Sequence, residues 1–179
     1  MLYKKYAKDG NVAVVEIDES NGELDNIQLT HNITNSNMGA VDAPNLDSLA
    51  YPIIAGERSF AKYQRFHCTD LGGSTRIQNL KIWRTGSFGG ANDRLICNLR
   101  TSSYVQIAYA QPVRTAIDNV NQDVPTSEPS TANLGIGGAL SGFLSAIGFS
   151  DFFVQQLYTD STTVNGSTYT LHYQYDEIA

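Results

Sequence analysis

Long apolar runs, cysteine, histidine and charge are all scarce in this sequence, and each shortage excludes something. No stretch approaches the roughly 18 consecutive apolar residues of a membrane-crossing helix, so no membrane contact of that kind is expected. Met1-Leu2-Tyr3-Lys4-Lys5 is not followed by an apolar run of signal-peptide length, so secretion is not expected. The two cysteines, Cys68 and Cys97, stand 29 positions apart (97 minus 68) and form no close-spaced metal clip. Without a secretion signal, both are expected to be reduced, buried thiols. The three histidines, His31, His67 and His172, are far from one another in sequence. His67 adjoins Cys68, but neighbours on a strand point to opposite faces and cannot easily share one ion. No metal site is expected.

Charged residues make up only 17% of the chain, against the roughly 25% usual for soluble proteins. The polar balance comes from Ser, Thr, Asn and Gln, which suit strands and turns better than helix surfaces. The formal net charge is -6. An acidic chain has no cation excess to exchange for the counterions of a nucleic acid, so direct nucleic-acid contact is disfavoured. Arg58, Lys62, Arg65, Arg76, Lys81 and Arg84 fall in one third of the chain and are expected to be scattered, solvated positions.

Catalytic motifs are missing as well. A nucleophile elbow requires glycine two places either side of the serine, but Ser141 has Ala139 and Phe143 there. Gly135-Ile136-Gly137 is followed by Leu140 where a dinucleotide loop requires its third glycine. Asp18-Glu19-Ser20-Asn21-Gly22-Glu23 has the oxygen density of a weak calcium loop without its ordered ligands, and an exposed hairpin turn is the expectation. Asn32-Ile33-Thr34 and Asn165-Gly166-Ser167 match a glycosylation sequon, which carries no weight without a secretion signal. The 18 acidic residues offer no pair that stands out as a glycosidase couple. No catalytic residue, cofactor-binding residue or metal ligand is assigned, and the chain is read as non-enzymatic.

What the sequence does contain is period-two alternation. Strands are predicted over 12–17, 27–33, 60–68, 77–84, 95–99, 105–109, 152–158 and 169–175. Leu80 and Ile82 are expected on one strand face with Lys81 and Trp83 on the other, and Trp83 is expected to be largely buried. His31 falls on the apolar face of its strand, where a satisfied core or rim histidine is the ordinary outcome. Asn165-Gly166 is a strong turn signal and predicts a C-terminal hairpin between 152–158 and 169–175. Asp9-Gly10 and Gly72-Gly73 mark further turns.

Residues 34–52 and 110–133 break the pattern. Both contain Pro, Asn, Asp and Ser, read as too polar for core, and are longer than connections need to be. They are expected to contact neighbouring subunits. Residues 134–148 have helical apolar spacing, but four glycines oppose a helix at about 1 kcal/mol each, so an extended or looped segment is expected. The fold class that follows is all-β: a single-domain antiparallel β-sandwich over residues 1–179, jelly-roll-like, with long irregular loops.

Several segments together resemble a known group. Tyr51-Pro52-Ile53, then Gly56 and Ser59-Phe60-Ala61-Lys62-Tyr63-Gln64-Arg65-Phe66, then Ile77-Gln78-Asn79-Leu80-Lys81-Ile82-Trp83-Arg84 are similar to a pattern in uncharacterised structural proteins of tailed bacteriophages. Val124-Pro125-Thr126-Ser127-Glu128-Pro129, Leu134-Gly135-Ile136-Gly137-Gly138, Gly148-Phe149-Ser150-Asp151-Phe152 and Tyr173-Gln174-Tyr175-Asp176-Glu177 continue it in the same order. The motifs are short and non-catalytic, and the first 25 residues match less well. The resemblance implies a virion structural protein: a capsid decoration or cement protein, a minor head or head–tail joining protein, or a minor tail protein. Its implied partners are other virion proteins, such as major capsid, tail or connector subunits, and further copies of itself. The competing expectation is a carbohydrate-binding β-sandwich module using aromatic and polar loops around Trp83, Phe88 and Tyr104.

Overall fold

The computed structural model describes residues 33, 35–164, 166 and 168–179 in full, and residues 2–6, 12–19 and 28–32 as paired strands. Among these residues there are eleven strands and no helix. In chain order they are β1 (Leu2–Tyr6), β2 (Val12–Glu19), β3 (Gln28–Asn32), β4 (Lys62–Cys68), β5 (Arg76–Ser87), β6 (Arg94–Cys97), β7 (Gln122–Asp123), β8 (Phe143–Leu144), β9 (Gly148–Phe149), β10 (Phe153–Tyr158) and β11 (Thr168–Ile178). All pairings are antiparallel. The smaller sheet runs β1-β11-β5-β8, and the larger runs β3-β2-β4-β10-β6-β7, with β9 also paired to β4.

The pairing is nested. β1 pairs with β11, β4 with β10, β5 with β8, and β6 with β7. From β4 onward the chain alternates between the sheets: β5 in the smaller, β6 and β7 in the larger, β8 in the smaller, β10 in the larger, β11 in the smaller. The inner faces of both sheets meet in one apolar core. Phe66, Cys68, Leu95, Cys97, Phe153 and Leu157 come from the larger sheet, and Ile77, Leu80, Ile82 and Tyr175 from the smaller. Aromatic edges span the gap, with Phe66 against Tyr173 at 5.9 Å and Phe153 against Tyr173 at 6.4 Å. These contacts make the molecule a two-sheet antiparallel sandwich.

Strand β5 follows its sequence pattern, with one irregularity. Lys81 faces Gln174 and Gln78 faces Asp176, so Asn79 and Leu80 together oppose Tyr175. This is a β-bulge, and Asn79 takes it with φ +60°, a left-handed conformation that Asn tolerates. The extra residue brings Ile77 and Leu80 to the same buried face. Leu80 and Ile82 point inward as expected. Trp83 is buried on the other face, where its ring stacks on His172 at 5.0 Å.

Three expectations are overturned. The C-terminal hairpin does not form: β10 pairs with β4 and β6, whereas β11 pairs with β1 and β5 in the other sheet. A turn signal reports local backbone preference and does not choose the strand's partner. The alternating run 105–109 is not a strand, because it lies over the outer face of the larger sheet through Ile107 and Tyr109 instead of pairing at an edge. The two long segments are not too polar for core. Met38 and Leu46 are buried from the first, and Val120, Val124 and Ala132 from the second. Sparse apolar anchors pin otherwise polar chain. Residues 134–148 are looped with a short strand at Phe143–Leu144, as expected.

Some expectations fall wholly or partly outside the described residues: the Asp9-Gly10 turn, most of the acidic turn at 18–23, and Thr34, Asn165 and Ser167 of the two sequons. For His31 only its place in β3 is described.

Candidate functional site

No reactive residue is legible in the sequence, so a functional grouping must be one that only the fold creates. The most distinctive lies on the outer face of β4. Alternation puts Tyr63, Arg65 and His67 on that face, while Gln64, Phe66 and Cys68 point into the core. Same-face residues on a strand sit about 6.6 Å apart, a gap wide enough for one aromatic ring. Two rings from the neighbouring chain fill those gaps. Phe149 stacks on His67 at 4.2 Å with its plane within 16°, and the Arg65 guanidinium carbon lies 3.6 Å from the centre of the same ring. Phe152 lies 5.0 Å from that guanidinium on one side and meets Tyr63 edge-on at 5.8 Å on the other. Tyr109 closes the column against Tyr63 at 5.1 Å.

A bulge makes this interdigitation possible. Phe149 pairs with His67 and Phe153 with Gln64, so four steps on one strand (153 minus 149) oppose three on the other (67 minus 64). The extra residue turns both Phe149 and Phe152 outward, while Phe153 enters the core. Ser150 locks the bulge. Its N–H donates to the Phe66 carbonyl and its Oγ accepts from the Phe66 N–H, both at 3.0 Å. Next to it, the buried Asp151 carboxylate accepts from Gln106 Nε2 at 2.8 Å and from the Gly138 N–H at 2.9 Å, holding the two covering loops in place. Burial, with the Asp151 charge nearby, pushes the Tyr104 phenol above its ordinary range.

The six basic residues between 58 and 84 are therefore not scattered solvated positions. Arg58 lies over Tyr158, Arg65 over Phe149 and Phe152, Arg76 over Phe143, and Arg84 over Phe88. Lys62 is buried and donates to the Ala43 carbonyl at 2.8 Å. Lys81 is buried and pairs with Glu128 at 3.2 Å. Aromatic faces and loop carbonyls hold cations that the charge pattern alone assigned to solvent.

The aromatic set considered for carbohydrate is not assembled. Trp83 is 7% exposed and covered by His172, while Phe88 and Tyr104 pack against the inter-sheet core. An open hollow of about 350 Å³ lies elsewhere, lined by Leu99, Arg100, Ser102, Gln122, Asp123 and Asn133 among others. It holds hydroxyls and amides but no imidazole or thiol, and Arg94 holds its Asp123 in a two-point ion pair. Both cysteines are free and buried, Cys68 on β4 and Cys97 on β6. Burial pushes the Cys97 thiol up to about 12, so it is a packing group and not a nucleophile at neutral pH. Among the described residues, no group of three or more His, Cys, Asp or Glu is placed to hold a metal ion, and no helix is long and apolar enough to cross a membrane.

Comparison with known proteins adds no relative: no family model, curated protein or solved structure matches the chain.

Proposed function

We propose that the chain is a structural subunit of a tailed-bacteriophage virion, a capsid-associated decoration, cement or minor head protein that stabilises the particle through contacts with other virion subunits. The observation that carries this reading is the ordered set of resembling segments from Tyr51 to Glu177, which falls on the framework of the sandwich. The 59–66 segment leads into β4, 77–84 lies in β5, 148–152 is the bulge between β9 and β10, and 173–177 lies in β11. A resemblance in the segments that build the core and the bulge is one of architecture, as a shared structural role requires.

The nested pairing supports the same reading. We read β1 with β11, β4 with β10, β5 with β8 and β6 with β7 as a jelly-roll-like order, a long antiparallel ribbon folded over on itself, with β2 and β3 added beyond β4. Jelly rolls occur in viral capsid domains. Architecture by itself does not name a function, and lectins share this one. Lectin-type use is the second reading, as a carbohydrate-binding module or a minor tail protein touching the host surface. Against it stands the covering of Trp83.

Exposed apolar side chains support subunit contact. Leu49 and Ile54 are 91% and 66% exposed on a loop ordered by Asp47, whose Oδ1 accepts from the Leu49 N–H at 3.0 Å. Phe143 and Ile147 are exposed at the other end of β4 from that loop. Ordered apolar tips of this kind lose little chain entropy on docking.

The deciding experiment is quantitative mass spectrometry of particles purified by density gradient. The chain should be present at a fixed, multi-copy ratio to the major capsid protein. Its absence from particles, with abundance in the lysate, would overturn the proposal. A glycan array probed with the purified monomer tests the second reading.

A further inference from the structure

The arginines of this chain differ in what they hold. Arg94 grips Asp123 and Arg114 grips Glu57. Arg58 and Arg100 donate to side-chain amide oxygens, and Arg84 to the Gly86 carbonyl. Arg65 and Arg76 have no hydrogen-bonding or ionic partner among the described residues, and what separates them is the aromatic contact: Arg76 lies over one ring, Phe143 at 5.3 Å, whereas the Arg65 guanidinium lies over two, Phe149 at 3.6 Å and Phe152 at 5.0 Å. Arg65 is the more closely held of the two. Its Nε is buried with that donor unmet. Unmet buried polar atoms occur elsewhere too, on Arg84, Tyr104 and Tyr169 among others, but Arg84 still donates through Nη1 to the Gly86 carbonyl, and the two tyrosines carry no charge.

We propose that Arg65 is a carboxylate-recognition point, its guanidinium clamped by Phe149 and Phe152 so that its free edge receives an acidic side chain from a neighbouring protein subunit. The chemistry follows from the geometry. With aromatic rings 3.6 Å and 5.0 Å from its central carbon, the guanidinium keeps its N–H edge as the group that can take a carboxylate in two-point contact. The rings also fix the rotamer, so little side-chain freedom is lost on binding. Burial lowers the Arg65 pKa from the ordinary arginine value, the mark of a charge removed from water without an opposite charge in return. Such a charge gains most from an incoming anion. The ladder is not a stacking platform for a sugar or base, because Arg65 and His67 already occupy the Phe149 ring. The chain's own net charge of -6 means that a second copy offers carboxylates in excess. The occupant, though not the chemistry, rests on the subunit reading given above.

The test uses the full chain with its arginine side chains labelled with nitrogen-15, titrated with sodium acetate and, at equal ionic strength, with sodium chloride. The Arg65 Nε–H resonance should move saturably with acetate and not with chloride. Arg94, already paired to Asp123, should barely move, which supplies a control without any substitution. Phe149→Leu should weaken the acetate response severalfold by loosening the clamp. If Arg65 responds no more than Arg94, or chloride reproduces the response, the recognition point does not exist. A third titration, with glucuronate, separates the occupants. Affinity equal to acetate fits a protein carboxylate, whereas severalfold tighter binding would overturn the subunit as occupant and leave the chemistry standing.

Discussion

The two faces of β4 carry equally regular patterns and have different fates. Gln64, Phe66 and Cys68 face the inter-sheet core and are sealed. Tyr63, Arg65 and His67 face outward, where Tyr63 is buried beneath the 104–121 stretch and the other two are half-covered by Phe149 and Phe152. The inner face is closed mainly by a second sheet, a continuous hydrogen-bonded surface. The outer face is closed by irregular chain that touches down only at its apolar anchors. Alternation therefore marks a strand reliably without saying which face is core, because a covering loop can bury either.

The largest test of that difference compares two phenylalanines. Phe66→Ala should cost roughly 3–5 kcal/mol in a urea denaturation, the usual range for a fully buried ring. Phe149→Ala should cost about 1 kcal/mol, since its ring is partly solvated and its neighbours can relax. Equal losses would mean that the ladder is core and not a covering. Trp83 extends the comparison to the smaller sheet. It is buried outside the inter-sheet core, against His172, and Trp83→Ala should also cost roughly 3–5 kcal/mol. A variant that melts like the parent would show that face to be open and free to bind.

A smaller effect belongs to the polar part of the inner face. Gln64 Oε1 accepts from Gln155 Nε2 at 3.0 Å and from the Tyr173 hydroxyl at 2.9 Å, while Gln64 Nε2 donates to Ser36 Oγ at 3.3 Å. This network ties both sheets to the first long loop inside an otherwise apolar core. Gln64→Ala removes the shared acceptor and should cost about 1–3 kcal/mol. A stabilised Gln64→Leu variant would show instead that the network contributes specificity at the expense of stability.

How far the sequence could be read follows from the range of each signal. Strands β5, β10 and β11 were legible because period-two patterning is local and strong. Asn165-Gly166 misled because which sheet a strand joins is decided by distant pairings such as β1 with β11, from opposite ends of the chain. Val105, Ile107 and Tyr109 alternate because every second side chain leans on the sheet beneath, which strand and covering loop share. The candidate site was illegible for a stronger reason. Arg65 and Phe149 are 84 positions apart (149 minus 65), and a one-residue bulge turns Phe149 and Phe152 toward Arg65. Only the aromatic–basic composition of β4 hinted at it.

The smallest difference lies between the two thiols, both on inner faces of the larger sheet. Thiol counting on unfolded protein without reductant should find both free. In the native state they should react in order. Cys68 ends β4, where its Sγ reaches the Asp70 carbonyl at 3.5 Å and the chain then enters the exposed Gly72-Gly73 turn. Cys97 also ends its strand, and both cysteines are paired on two sides, Cys68 with β2 and β9 and Cys97 with β10 and β7. The difference is the next residue, because Asn98 is locked: its Nδ2 donates to the Phe152 carbonyl and its Oδ1 accepts from the Val154 N–H. Exposing Cys68 requires the end of β4 to fray back from the exposed residues that follow it, whereas exposing Cys97 also requires the Asn98 lock to break. Local opening energies that differ by about 1.4 kcal/mol give a tenfold difference in rate. Labelling with a thiol reagent at pH 8, followed by mass spectrometry, should modify Cys68 first by on the order of that factor. Alkali adds a second readout. Because burial raises the Cys97 thiol to about 12, the unfolded chain releases its proton at lower pH than the folded one. The stabilising contribution is complete below the ordinary thiol value of 9.0 and is lost as pH rises toward about 12. Cys97→Ala should flatten that alkaline decline more than Cys68→Ala does. Equal labelling rates, or a decline untouched by Cys97→Ala, would show that the β6 edge opens as readily as the end of β4.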